Sequence, residues 1–286
     1  MGTLYIVATP VGNLEDITLR ALRVLKEADL IACEDTRHTA RLLARYGIGT
    51  PRESYHKFNE ESRTPQFLQM LHQGKTIALV SDSGTPLVSD PGYELVSQCR
   101  KEGIPVVPVP GPSAPIAALS GSGLPADAFF FGGFLPARGS ARKRRLEDLA
   151  SIPATLVLFE APHRLLDSLE DMAAVLGPRR ACVARELTKM HEEFLHGTIP
   201  QLLETLRARP AIRGEITLVI ERGEATEPES VFPPSIRQHL EEEMQRTGLP
   251  RNEALKLIAK KRGISRRDAY RELTGELSAA ENPEQS

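Results

Sequence analysis

Residues 4–14 read Leu-Tyr-Ile-Val-Ala-Thr-Pro-Val-Gly-Asn-Leu (LYIVATPVGNL). A short apolar run that stops at a Pro- and Gly-containing turn predicts a buried strand followed by a loop. The pattern recurs at Leu30–Cys33, Thr76–Val80 and Pro105–Val109. Between these runs lie Thr18–Ala28, Arg37–Tyr46, Thr64–His72 and Val88–Lys101, whose apolar residues return every three or four positions. Strands alternating with helices of this length imply βαβ units and a mainly parallel sheet.

A second series starts near Phe129. Phe129–Phe131, Thr155–Phe159, Ala181–Arg185, Glu193–His196 and Ile216–Glu221 are strand-like, with helical patterns at Ala141–Leu149, His163–Leu176 and Pro200–Arg207. The close spacing around 181–196 predicts an antiparallel pair and a mixed sheet. The expected fold class is therefore α/β and two-lobed: a parallel-sheet lobe over residues 1–115 and a mixed-sheet lobe over 116–224. An acidic, Pro-containing linker follows at 225–234, then a small helical domain over 235–277 and a disordered tail at 278–286. Within the helical domain, Ser235–Arg246, Arg251–Arg262 and Ser265–Leu273 have helical periodicity. Ser265 to Asp268 reads as a capping box, and two helices joined by a Gly-containing turn have the helix-turn-helix layout.

Composition narrows the function. No apolar run approaches the ~18 residues of a membrane span, and the N-terminus lacks the basic start of a signal peptide, so a cytoplasmic protein is expected. Cys33, Cys99 and Cys182 show no paired spacing and the histidines no ligand motif, so no metal is expected. The net charge is −2, yet Arg251–Arg271 holds eight basic residues against two acidic ones and carries +6. A basic appendage on an acidic body points to a phosphate-bearing partner.

One textual motif misleads. Gly121–Ala126 matches the dinucleotide fingerprint, but it follows a helical pattern and Pro125 would break the helix that should come next. The stronger signal is a set of turns placed just after strands: Thr9–Leu14, Ser81–Pro86, Ser89–Gly92 and Pro110–Ala114. Ligands of open α/β sheets bind at the carboxyl ends of strands, where such loops converge.

Taken in order, Pro10-Val11-Gly12-Asn13-Leu14, Cys33-Glu34-Asp35-Thr36-Arg37, Ser81-Asp82-Ser83-Gly84-Thr85-Pro86 and Pro110-Gly111-Pro112-Ser113 resemble the tetrapyrrole methylase superfamily. Phe131–Pro136, Phe159-Glu160-Ala161-Pro162-His163-Arg164 and Ala184–Lys189 continue the match, which extends over the whole chain. The resemblance is to the branch that methylates the ribose 2′-oxygen of a decoding-centre cytidine in small-subunit (16S) ribosomal RNA. It implies two lobes around S-adenosylmethionine, an assembled small ribosomal subunit as partner, and a homodimer. By position it implies that Pro10, Gly12, Asp82, Gly84 and Thr85 border the cofactor from the first lobe. Ser113 and Ala114 would meet its carboxylate at a helix N-terminus. Phe159, Glu160, Ala161, Glu215 and Thr217 would close the pocket from the second lobe. The superfamily's usual Gly-Asp-Pro is here Asp82-Ser83-Gly84.

The sulfonium of the methyl donor carries an activated methyl group, so the protein must align the acceptor and take its proton. Asp35, Glu160, Glu186 and Lys189 are the expected catalytic groups, with Glu160 and Glu186 foremost. The alternative for each is an ion pair that holds the structure. Arg142, Lys143, Arg144 and Arg145, with Lys260, Lys261, Arg262, Arg266 and Arg267, are the expected RNA contacts, against the alternative of a solvated face. Two rival functions remain: a small-molecule tetrapyrrole-type methylase, and a non-enzymatic nucleic-acid-binding regulator.

Overall fold

A computed structural model describes residues 1–223 and 235–281, the last six of these as helix backbone. The first lobe runs β1 (Leu4–Val7), α1 (Leu19–Glu27), β2 (Leu30–Cys33), α2 (Thr36–Arg45), β3 (Arg52–Ser54), α3 (Glu60–His72), β4 (Ile77–Val80), α4 (Tyr93–Lys101) and β5 (Val106–Val109). Its five strands are all parallel in the order β3-β2-β4-β1-β5. Both faces are covered. Val7, Ile31, Cys33, Ala78 and Val80 pack under α1 and α2, and Leu4, Ile6, Leu30, Ile77 and Leu79 under α3 and α4. Burial on both faces is why these strands read as continuous apolar runs and not as alternating ones.

After α5 (Ala114–Gly121) come β6 (Phe129–Phe134), α6 (Gly139–Ala150), β7 (Thr155–Glu160), α7 (Leu165–Leu176), β8 (Arg180–Arg185), β9 (Glu193–Thr198), α8 (Ile199–Arg207) and β10 (Ile216–Ile220). The order is β6-β7-β10-β8-β9, with β6 parallel to β7 and every other pairing antiparallel. The sheet is thus mixed, as its spacing predicts. Leu156, Leu158, Val183, Ile216 and Leu218 face α6, α7 and α8. Val157, Cys182, Ala184 and Val219 face the other way, onto Ala118 and Leu119 of α5 and Val11 of the first lobe. The lobes therefore share a core and form one unit with a boundary at Glu224. The division expected at 115/116 falls inside α5.

Four elements differ from expectation. β3 has no apolar run to announce it; Arg52–Ser54 pairs with Ile31–Cys33 through its backbone as an edge strand. α3 starts at Glu60, with Glu60 and Glu61 in its first turn where the helix dipole favours carboxylates. α4 starts at Tyr93 and not at Val88, because Leu87 (φ 73°), Ser89 (φ 67°) and Gly92 (φ 130°) hold the preceding chain outside helical geometry. β6 continues to Phe134 through a register shift between Phe131 and Gly133.

The second unit contains α9 (Ile236–Thr247), α10 (Arg251–Lys261) and α11 (Arg266–Glu281). Ile236, Leu240, Leu255, Ile258, Ala269 and Leu273 form its own small core. Gly248 (φ 68°) ends α9, and the Ser265 hydroxyl accepts from the Asp268 amide at 3.1 Å, capping α11 as the sequence predicts. The expected linker at 225–234 and most of the expected tail lie outside the described residues, α11 running on to Glu281. Among the described residues no helix is long and apolar enough to cross a membrane.

Candidate active site

Antiparallel pairing builds the second lobe's half of the site. Because β10 runs against β7 and β8, its first residue, Ile216, lies beside both Glu160 and Arg185 at their carboxyl ends. The Gly214–Thr217 entry is thereby brought against Phe159–Ala161, residues more than fifty positions away in sequence. From the first lobe come the loops after β1, β4 and β5. A β-bridge joins Thr9 to Gly84, and Thr85 Oγ1 donates to the Pro112 carbonyl at 3.1 Å, so the three loops are tied to one another.

Where these loops meet, the shared core opens into a cavity of about 360 Å³. Of the expected cofactor residues, Gly84, Thr85, Ser113, Ala114, Phe159, Glu160, Ala161, Glu215 and Thr217 line it. Pro10 and Asp82 instead line a separate space of about 30 Å³ beside α2. Asp82 reaches the Asp35 amide there, accepting at 3.0 Å. Gly12 lines neither. A β-carbon at Gly12 would come within 2.4 Å of Lys189 and 2.7 Å of the Leu187 carbonyl, so it is the point where the β1 loop presses on the loop after β8. Its role is close approach between the lobes.

The cavity has the features a methyl donor of this kind needs. Val11, Phe134, Phe159 and Ile216 give it apolar walls suited to a nucleobase, with Phe134 and Phe159 tilted against each other at 5.4 Å. Ala114 opens α5 at the cavity, so its amide, in the first helical turn, has no partner within the helix and can receive a carboxylate. Gly214 (φ 92°) is held where a β-carbon would lie 2.5 Å from the Glu186 carboxyl. Gly214→Ala is therefore expected to cost about 1–3 kcal/mol from the backbone strain alone, read as a lowered urea midpoint. A midpoint equal to wild type would show that the entry to β10 can relax.

The four expected catalytic groups each have another partner. The Glu160 side chain is fully buried, although the residue lines the cavity. It accepts from the Ala161 amide and Arg164 Nη2, each at 2.7 Å, and from Ser168 Oγ at 2.5 Å. Glu186, at φ 53°, accepts from Lys189 Nζ and from the Glu215 amide, both at 2.9 Å. Those bonds hold its carboxyl below the usual carboxylate range. Burial opposes the charge on Lys189, but Glu186 and Glu215 outweigh it and hold the ammonium above its ordinary value. Asp35 is tied to Arg37, which holds its carboxyl well below the usual range, and it caps α2 away from the cavity. None of the four is an open proton acceptor.

Asp90, quoted above only as part of a turn, lines the cavity. Burial, followed by the negative charge of Glu34, pushes its carboxyl up to about 6. Its sequence signal was present: Ser89-Asp90-Pro91-Gly92 closely follows the Ser81–Pro86 turn.

The basic residues also divide. Arg142 is only 5% exposed and is held by Asp171 at 2.7 Å inside the second lobe, so this expected RNA contact is a structural pair. Lys143 is half exposed and lies 3.4 Å from the same carboxylate, whereas Arg144 is exposed and Arg145 half-buried. Lys261 donates to the buried Glu243, and Arg262 to the Ser235 carbonyl and His239 Nδ1. Lys260, Arg266 and Arg267 are exposed.

Comparison with known proteins agrees with this geometry. The family model for tetrapyrrole (corrin/porphyrin) methylases matches residues 3–203. A relative from Halalkalibacterium halodurans, named ribosomal RNA small subunit methyltransferase I, is 49% identical over 94% of this chain and 93% of its own length. Among solved structures, diphthine synthase superposes with a TM-score of 0.61 at 16% identity, covering 77% of this chain and 90% of its own. Uroporphyrin-III C-methyl transferase from Thermus thermophilus, complexed with S-adenyl homocysteine, gives 0.54 at 23% identity over 76% of this chain and 97% of its own. Methyltransferases of this fold use S-adenosylmethionine. The chain belongs to the tetrapyrrole methylase family, alongside the proteins named ribosomal RNA small subunit methyltransferase I.

Proposed function

We propose that the protein transfers a methyl group from S-adenosylmethionine to small-subunit ribosomal RNA, at the ribose 2′-hydroxyl of a decoding-centre cytidine. The observation that carries the acceptor class is the 49% identity over 94% of the chain to a relative named for that RNA. The finer position rests on the ordered sequence motifs quoted above. Exposed Arg144, Lys260, Arg266 and Arg267 support a phosphate-bearing partner. The chain has no Trp and 5% aromatic residues, which favours recognition of folded RNA over stacking on single-stranded bases.

In this reading the donor supplies the activated methyl group, and the protein orients the reactants and excludes water. Phe134 and Phe159 would enclose the adenine, and the Ala114 amide would receive the carboxylate. Thr85 and Pro112, bonded to each other, hold the first-lobe loops in register for that binding. A small-molecule methylase of the same fold would not need the basic faces. A second copy of the chain also belongs to this reading, supported by Phe58 (94% exposed) and Tyr93 (75%) at the neighbouring starts of α3 and α4. A ribosomal acceptor goes with a cytoplasmic location.

The test incubates the protein and labelled S-adenosylmethionine with small subunits lacking the modification, followed by digestion to nucleosides. Label on 2′-O-methylcytidine is the expected result. Label on a base would overturn the position, and no label on RNA would overturn the acceptor.

A further inference from the structure

We propose that Asp90 is the group that takes the acceptor's proton during methyl transfer. The inference rests on the reading above that the acceptor is a hydroxyl. Its starting point is geometric. Asp90 lies in the wall of the cavity that Phe159 and Glu215 of the second lobe also line, on the loop Ser81–Gly92 between β4 and α4. Of the three carboxylate residues at this cavity, Glu160 is satisfied by three donors, and Glu215 shares Lys189. Asp90 is in no ion pair among the described residues.

The loop is built to keep it there. Leu87 and Ser89 on either side of Val88 are both left-handed, a conformation that residues with a β-carbon rarely adopt. Gly133 of β6 approaches so closely that a β-carbon would lie 3.2 Å from Ser89 Oγ. At its far end the Gly92 amide donates to Glu60 of α3 at 2.6 Å. Such constraint next to a cavity is characteristic of functional loops.

The charged groups that act on Asp90, both acidic, raise its proton affinity without supplying a counter-charge. Glu34 comes from the end of β2 and Asp82 from the end of β4, while the nearby Ser81 hydroxyl, which donates to the Ser83 and Gly84 carbonyls, acts in the opposite, lowering direction. His56 acts on Glu34, whose own carboxyl is raised chiefly by burial and then by Asp82. A carboxylate poised near neutrality is a better proton acceptor than one held low by a cation. In the step itself an oxygen–carbon bond forms and the carbon–sulfur bond breaks, leaving its electron pair on sulfur. The 2′-hydroxyl proton passes to an Asp90 carboxylate oxygen.

The sign of the pH effect follows. The carboxylate form is present above about pH 6 and is lost as pH falls through that value, so turnover should have an acidic limb there. The same shift makes the ionised form a strain on the fold. Its ordinary value is 3.8, so stability is gained as pH drops from about 6 towards that value and is absent at pH 7 and above.

The test uses the full chain and small subunits lacking the modification. Asp90→Asn is expected to lower kcat at least ~100-fold and remove the acidic limb. S-adenosyl homocysteine should bind it with Kd within about twofold of wild type by calorimetry, and its Tm at pH 7.5 should rise. Carbon-detected NMR of the wild-type carboxyl, which needs no variant, should show Asp90 titrating near pH 6. Several results would overturn the proposal: titration below about 4.5, a fall in kcat under about threefold, or kcat kept with Kd raised tenfold or more. That last outcome would make Asp90 a donor ligand. Failure of the broader reading is separate, because the labelled nucleoside identifies the acceptor whereas Asp90→Asn is scored against wild type on whatever acceptor is methylated.

Discussion

Glu160→Ala is expected to lower unfolding free energy by about 3–5 kcal/mol, the cost of stranding one partner of a buried ion pair. Arg164 keeps 20% side-chain exposure, and its Nε already has no hydrogen-bond partner. Removing Glu160 takes the acceptor from its Nη2 and orphans the Ser168 hydroxyl and the Ala161 amide as well. The damage is expected to spread to the cavity, because Phe159 and Ala161 flank the altered residue and both line it. S-adenosyl homocysteine should therefore bind more weakly. Glu160→Gln, which keeps the shape, should do less on both counts. Urea denaturation and calorimetry measure the two effects. A stability loss under about 1 kcal/mol would show that the pair is not what holds the end of β7 to α7. Turnover falling without any change in stability or donor affinity would return Glu160 to the role of base that its geometry denies it.

Replacing Lys260, Arg266 and Arg267 together by alanine is expected to weaken binding to the small subunit and to flatten its salt dependence. Each lost phosphate contact should reduce the slope of log K against log salt by about 1, so by roughly 3 for the triple variant. Donor affinity should stay as in wild type, since none of the three lines the cavity. The neighbouring Lys261 and Arg262 provide the contrast. They hold Glu243, whose carboxyl Arg246 and Lys261 lower to about 2, and His239, so alanine there should destabilise the small helical unit. A filter-binding titration across salt concentrations, set beside thermal melts, separates the two classes. An unchanged slope in the triple variant would mean that these side chains face no phosphate.

Much of the site was legible in the sequence because its parts are local. The turns at Ser81–Pro86 and Pro110–Ala114 are short-range backbone features signalled by Pro, Gly and Ser, and both line the cavity. The motifs that carried the family resemblance are contiguous for the same reason. Glu186 and Lys189, three residues apart, fit either catalytic groups or an ion pair by sequence, and they are bonded at 2.9 Å. Arg142 could not be sorted in that way. Its partner Asp171 is 29 positions away on the next helix, and nothing in Ala141–Arg145 distinguishes the one inward residue from the outward ones.

The strand-end loops with which the sequence opens were thus determined locally, along with the two lobes, the α11 cap and the basic helical unit. Each depends on periodicity or turn chemistry within a dozen residues. Tertiary structure alone decided which charged groups are spent and which are open. Antiparallel β10 brings Glu215 to Lys189, Arg164 and, on α7, Ser168 occupy the Glu160 carboxylate, and Asp90 sits at the cavity beside two left-handed residues. A charge has one value in a sequence, but its chemistry is set by burial and by partners that the chain brings from far away.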